Sequence, residues 1–364
     1  MSRFFSGKFS SLVPYTPGEQ PSDQQYIKLN TNESPFPPSA AAASAAAAEA
    51  ERLQLYPDPE CRELRGALAE LLGLETDQLL MTNGSDEILY YAFMAFCDED
   101  RPAVFPDITY GFYPVYAAVN RIPYQEIPLR ENWELCPDDY VGVRGTLFLA
   151  NPNAPTGIAL DRDQVEWLLR KRPDDLLIVD EAYVDFGAES CLPLIRKYDR
   201  LLVCQTYSKS RSMAGARLGF GAGNADLIRD LNTIKYSINP YTVNRMTAAA
   251  GAASVRNEDQ NRRNCQIIIR NREWTAEALC RLGFEMTESK ANFLFVRHPE
   301  LSGEALYTEL KKRGILIRHF SLDRIRDYNR ITIGTREQME KLVLETERIL
   351  KDRRKEKPAA GAGN

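Results

Sequence analysis

Three short apolar runs, each breaking off into polar and reactive side chains, constrain the fold of this chain more than any other feature. Thr146-Leu147-Phe148-Leu149-Ala150 leads into Asn151-Pro152-Asn153-Ala154-Pro155-Thr156-Gly157, and Leu176-Leu177-Ile178-Val179 leads into Asp180-Glu181-Ala182-Tyr183. Leu201-Leu202-Val203-Cys204 leads into Gln205-Thr206-Tyr207-Ser208-Lys209. Short apolar runs without alternation are expected of strands buried on both faces. From about residue 83 to residue 223 such runs alternate with helical patterns, the signature of βαβ units around a mostly parallel sheet. The expected class is α/β. Ligands of open α/β sheets bind beyond the carboxyl ends of the strands, so the three polar clusters should converge on one site.

The flanks read differently. The first 40 residues are rich in Pro, Ser, Gln and Asn, and the stretch from Leu29 to Pro38 is too proline-dense for a helix or a central strand. Residues 1–40 are therefore expected to form an extended arm. The alanine-rich segment 39–55 predicts a helix made by propensity, with Ser39 as its N-cap. Residues 41–250 form the large domain in this reading. After about residue 251 come long charged helices and strands at 292–297, 315–318 and 330–333, which predict a smaller α+β domain over 251–351, closed by a helix over 337–351. The charged, Gly/Ala-rich remainder, 352–364, is expected to be disordered.

Composition narrows the chemistry. With 46 Lys and Arg against 51 Asp and Glu, the formal charge of −5 argues against a nucleic-acid binder that relies on bulk positive charge. No stretch approaches about 18 uninterrupted apolar residues, and the first residues lack the order of a signal peptide, so neither a membrane partner nor export is expected. The 7 cysteines form no CxxC pair, which suits reduced thiols in the cytoplasm and gives no metal site. Only 2 histidines exist, His298 and His319. Proton transfer must then fall to lysine, carboxylate, tyrosine or a cofactor.

A lysine at a strand end is ordinarily a solvated charge. Lys209, however, shares its sheet end with the carboxylate of Asp180 and with Tyr183, while Ser85, Asp86, Ser208 and Arg217 can receive an anion. A Schiff-base lysine, an acid for a pyridinium nitrogen and a phosphate cup are the fittings that pyridoxal phosphate requires.

At this point the chain resembles the fold-type I pyridoxal-phosphate aminotransferases, and among them the histidinol-phosphate aminotransferases. The resemblance is carried by segments in family order: Leu29-Asn30-Thr31-Asn32-Glu33-Ser34-Pro35, Tyr56-Pro57-Asp58-Pro59, Asn83-Gly84-Ser85-Asp86-Glu87, Val179-Asp180-Glu181-Ala182-Tyr183, Thr206-Tyr207-Ser208-Lys209, Ala291-Asn292-Phe293-Leu294-Phe295 and Arg330-Ile331-Thr332-Ile333-Gly334-Thr335. It implies a large domain with a mostly parallel seven-stranded sheet between helices and a smaller C-terminal domain. It also implies that Lys209 holds pyridoxal 5'-phosphate and shuttles the proton, its pKa lowered by burial and Arg217. Asp180 would keep the ring nitrogen protonated, Tyr183 would bond the phenolic oxygen, and Tyr110 would stack on the ring. Gly84, the amides of Ser85 and Asp86, Thr206, Ser208 and Arg217 would form the phosphate cup.

Further roles follow from the same resemblance. Tyr56 would reach the phosphate in a neighbouring subunit, implying a homodimer with shared sites. Arg318 and Arg330 would clamp substrate anions, with Asn32 and Asn292 orienting substrate or cofactor. One departure is visible: the family's usual Asn before Pro-Thr-Gly is Ala154 here, which leaves that contact to Asn153, to Asn151 or to Tyr183 alone. The implied partners are small molecules, an amino donor and 2-oxoglutarate. Alternatives sharing these fittings are an aromatic-amino-acid aminotransferase and a threonine-phosphate decarboxylase; a ligand-sensing regulator would need a DNA-binding unit for which the two ends leave no room.

Overall fold

The computed structural model describes residues 2–356. Within them lie strands β1 (Ile27–Leu29), β2 (Leu79–Thr82), β3 (Ala103–Pro106), β4 (Tyr124–Ile127), β5 (Thr146–Ala150), β6 (Leu177–Asp180), β7 (Leu201–Thr206), β8 (Gly219–Gly223), β9 (Glu285–Met286), β10 (Phe293–Arg297), β11 (Ile315–His319) and β12 (Asn329–Thr332). The large sheet has seven strands in the order β2-β8-β7-β6-β5-β3-β4. Strands β4, β3, β5, β6 and β7 run parallel, and β8 is antiparallel to both β7 and β2.

Two apolar cores explain the lack of alternation in the strands. Leu147, Leu149, Val179 and Val203 face one core together with Leu64, Leu68, Val165 and Leu168 from covering helices. Their neighbours Phe148, Ile178 and Leu202 face a second core with Ile88, Leu89 and Phe93. Each strand is thus apolar on both sides because helices cover both sides, the arrangement expected of a parallel sheet.

The smaller sheet has the order β1-β11-β12-β10-β9. Its edge strand comes from the N-terminal arm: β1 pairs in parallel with β11, Ile27 opposite Ile315 and Leu29 opposite Ile317. Leu29 packs in the core of this sheet with Leu294, Ile315, Ile317 and Phe186. The arm is therefore stitched to the C-terminal half before it crosses to the large sheet. Ser39 caps the helix Ala40–Ala50, its hydroxyl accepting from the Ala42 amide at 3.1 Å. The helix Glu258–Arg281 carries the chain from the large sheet to the small one.

The last helix departs from expectation. It runs over Arg336–Glu356, so residues 352–356, expected in a disordered tail, continue the helix. Its charged i, i+4 pairs, such as Lys351 with Glu347 at 2.6 Å, support a segment that has few apolar residues to bury. Residues 357–364 lie outside the described residues.

Leu29 offers a direct test of the stitch. Leu29→Ala should destabilise the protein by about 2–5 kcal/mol in urea unfolding, the cost of emptying a buried leucine site, and should weaken cofactor retention because the adjoining residues reach the site. A loss under about 0.5 kcal/mol, the scale of a surface change, would contradict it.

Candidate active site

Parallel pairing places Ala150, Asp180 and Cys204 side by side at the carboxyl ends of β5, β6 and β7. Asp180 is buried there and accepts a hydrogen bond from the Ala182 amide at 3.1 Å. Burial, reinforced by the nearby Asp86 charge, pushes its carboxyl up to about 7. Glu181 points away from the site into donors from Ser190, Cys191 and Gln205, and burial raises it to about 7 as well.

Lys209 follows β7. Its Nζ donates to the Thr31 carbonyl at 3.0 Å and sits 5.9 Å from the centre of the Tyr183 ring. Its ammonium is pushed down to about 8, first by burial and then by the Arg330 charge. Arg217 lowers it too, as expected, though by less than Arg330, and its guanidinium is paired with Asp86 at 2.8 Å.

A cradle forms where β8 meets the start of helix Ser85–Phe96. The first amides of a helix lack intrahelical partners and favour an anion. Gly84 caps this helix with φ 81°, and a Cβ there would stand 2.7 Å from the Arg217 guanidinium. A Cβ on Gly219 would stand 2.4 Å from the Ser85 nitrogen. Both glycines therefore keep backbone and guanidinium close together. Arg217 also reaches Ser208 Oγ at 3.5 Å, Thr206 Oγ1 donates to Ser208 Oγ at 3.0 Å, and Tyr110 donates to Asp86 at 2.6 Å.

The small sheet and the arm close the other side. Arg318 and Arg330 are cross-strand partners in β11 and β12. Arg330 is packed against the rings of Phe293 and Phe320, donates to the Asn30 carbonyl at 3.3 Å, and has a buried Nε without a partner among the described residues. Arg318 donates to the carbonyls of Thr16 and Pro17 at 3.2 and 3.3 Å. Asn32, in the left-handed region at φ 56°, donates from Nδ2 to the Tyr183 hydroxyl at 2.9 Å. Asn292 Nδ2 donates to the Asn32 carbonyl at 3.0 Å, and its buried Oδ1 has no partner among the described residues.

Four positions sit differently from the rest. Asn153 spends its amide on its own loop and on the segment after β3: Nδ2 donates to Thr156 Oγ1 and to the Ile108 carbonyl, and Oδ1 accepts from Thr109. Asn151 is likewise held by both main-chain groups of Leu160. Ala154 packs with Ala291, Phe293 and Tyr183, an apolar wall in place of an amide. Tyr56 is 78% exposed and stacks on Tyr241 with ring centres 4.7 Å apart.

Sequence reasoning missed Tyr15, which stacks on Phe112 at 4.1 Å and lies 6.5 Å from Tyr110, and Arg272, a buried cation behind the site. Tyr15 lies in an irregular arm with no periodicity to mark it. Arg272 resembles any other charge in a helix of mean polar character, and nothing local signals its burial.

A half-buried amine, a buried acid and a glycine-gated anion cradle fit pyridoxal phosphate, and Arg330 Nε and Asn292 Oδ1, unpartnered among the described residues, leave polar groups for a further ligand. The model of the family described as "Aminotransferase class I and II" matches residues 24–345. The chain belongs to that family. It is 45% identical over 97% of its length to the whole of the histidinol-phosphate aminotransferase of Brachyspira hyodysenteriae. To that of a Marinomonas strain it is 48% identical over 93% of this chain and 97% of the relative. Among solved structures, a putative histidinol-phosphate aminotransferase from Erwinia carotovora superposes with TM-score 0.84 at 25% identity, covering 90% of this chain and 97% of that one. The Sinorhizobium meliloti histidinol-phosphate aminotransferase in complex with pyridoxal-5'-phosphate shares the fold, with TM-score 0.83 at 21% identity over 90% of this chain and 92% of that one. This aminotransferase is a pyridoxal-phosphate-dependent enzyme of fold type I.

Raising a carboxyl to about 7 means that the folded protein holds the Asp180 proton more tightly than the unfolded chain does. That stabilisation is complete below the ordinary value of 3.8 and is lost as pH rises through about 7. Cofactor-free Asp180→Asn should therefore unfold at a higher temperature than the cofactor-free wild type at pH 8, by about 1–3 kcal/mol in stability, with the gap narrowing towards pH 4. The same variant supplied with cofactor should be nearly inactive. A gap independent of pH would contradict the assignment.

Proposed function

We propose that this aminotransferase interconverts histidinol phosphate plus 2-oxoglutarate with imidazole acetol phosphate plus glutamate. The observation that carries this reading is the side-by-side pair Arg318 and Arg330, with Arg330 close enough to Lys209 to depress its pKa. A pair of arginines on neighbouring strands, one of them near the reactive amine, suits a donor with a phosphate and an acceptor with a second carboxylate, taken in turn. The names of the relatives, at 43–48% identity over nearly the full chain, support the same donor.

Bound pyridoxal phosphate supplies an electron-poor ring that stabilises negative charge on the substrate carbon. The residues present set up the rest. Arg217, Ser208, Thr206 and the amides after Gly84 would hold the phosphate, with Tyr110 against the ring. Asp180 would face the ring nitrogen, and its attraction to a proton suits that task. Tyr183, oriented by Asn32, would face the phenolic oxygen, which compensates for Ala154. Lys209, titrating near 8, carries a useful neutral fraction near neutral pH and can take the proton from the substrate carbon and return it. The apolar wall of Ala154, Ala291 and Phe293 keeps water away from that exchange.

The exposed Tyr56, together with Leu53, Leu55, Tyr236, Ile238 and Tyr241, supports a homodimer in which Tyr56 reaches the partner's phosphate site. Residues 41–250 act as the large domain and residues 251–351, joined by the arm, as the small one. Among the described residues no helix is long and apolar enough to cross a membrane. We place the enzyme in the cytoplasm, in keeping with its free cysteines.

Steady-state assays with histidinol phosphate, phenylalanine and threonine phosphate should give the highest kcat/KM for histidinol phosphate, with glutamate formed from 2-oxoglutarate. Preference for either other donor would overturn the substrate. Arg330→Gln should lower kcat/KM for the phosphorylated donor by about 10- to 100-fold, the worth of a charge-assisted hydrogen bond. An unchanged kcat/KM would remove Arg330 from the anion site.

A further inference from the structure

Arg272 lies in the helix Glu258–Arg281, is 6% exposed, and donates from Nη1 to two main-chain carbonyls, Phe186 at 2.8 Å and Ala291 at 2.7 Å. The acidic groups that bear on it, Glu273 and Glu288, act through space rather than by a hydrogen bond. Burying a guanidinium without a bonded carboxylate is costly, so the two carbonyls it joins call for a reason. Phe186 closes the turn that carries Tyr183, its amide donating to the Tyr183 carbonyl at 3.2 Å. Ala291 immediately precedes Asn292.

These bonds complete a ring. From Arg272 it passes through the Phe186 turn to the Tyr183 hydroxyl, which accepts from Asn32; the Asn32 carbonyl accepts from Asn292, and Ala291 leads back to Arg272. The ring joins the end of β6 in the large sheet to the start of β10 in the small one, with Asn32 of the arm between them. Asn32 and Asn292 are bonded as well to Thr332 and Ile333 at the end of β12, on the small-sheet side of the ring. Arg272 alone is anchored in a long helix.

We propose that Arg272 is a positioning residue: by tying the Tyr183 turn to the Asn292 turn it fixes the Tyr183 hydroxyl relative to the cofactor's phenolic oxygen. This rests on the reading that Tyr183 faces that oxygen. A donor there favours the unprotonated form of the bound chromophore, so misplacing the hydroxyl raises the pH midpoint of the cofactor's absorbance change.

The experiment is a spectrophotometric pH titration of the substrate-free holoenzyme for wild type, Tyr183→Phe, Arg272→Met, Arg272→Lys and the Tyr183→Phe/Arg272→Met double variant. Arg272→Met should raise the midpoint by about half a pH unit or more, the scale of one neutral hydrogen bond. Arg272→Lys, which keeps the charge and reaches one carbonyl, should shift it less. The double variant should match Tyr183→Phe alone, because the arginine acts only through the hydroxyl. If Tyr183→Phe shifts the midpoint and neither Arg272 variant does, the positioning role is overturned while the site reading stands. If Tyr183→Phe itself shifts nothing, the reading of Tyr183 fails, and the proposal with it. Should Arg272→Met not fold, the Arg272→Lys titration decides: a shift supports the role and its absence overturns it.

Discussion

Burial of Asp180 at the carboxyl end of β6, flanked in register by β5 and β7, is the constraint on which the rest of the site depends. Among the described residues a carboxyl in that position meets no bonded cation and only one main-chain donor, so its charge is held at a cost. A protonated ring nitrogen facing Asp180, as proposed, would relieve that cost. The strand register that places Asp180 also fixes where Lys209 leaves β7 and where the loop after β5 turns, so the acid, the amine and the apolar wall share one origin.

The N-terminal arm does more than extend the chain. Its β1 segment is an edge strand of the small sheet, its Thr31 carbonyl holds the Lys209 amine, and its Asn32 bonds the Tyr183 hydroxyl. Residues far apart in sequence are thereby held in one hydrogen-bonded set across the two sheets. Arg318, gripping the carbonyls of Thr16 and Pro17, adds a second tie between the arm and β11.

Much of this was legible in the residues. The three apolar runs with polar ends marked β5, β6 and β7, and with them Asp180, Tyr183 and Lys209, because a strand buried on both faces leaves a strong local pattern. Ser39 was legible for a similar reason, since a cap is set by its immediate neighbours. The rest depends on distances along the chain that no local pattern records. Asn153 looked like a substitute for the missing amide at position 154, but its bonds to Ile108 and Thr109 depend on a segment more than 40 residues away. Arg217 depresses Lys209 as expected, but Arg330, brought there from the small sheet more than 100 residues along the chain, depresses it more. Helix continuation past residue 351 came from side-chain ion pairs that a reading of composition counted as disorder.

Reductive trapping tests the central claim most directly. Treating the holoenzyme with borohydride and mapping its peptides should place the pyridoxyl group on Lys209 and on no other lysine, with the label abolished in Lys209→Ala. A label on a different lysine, or none after incubation with pyridoxal phosphate, would contradict the convergence of these strand ends on a cofactor site.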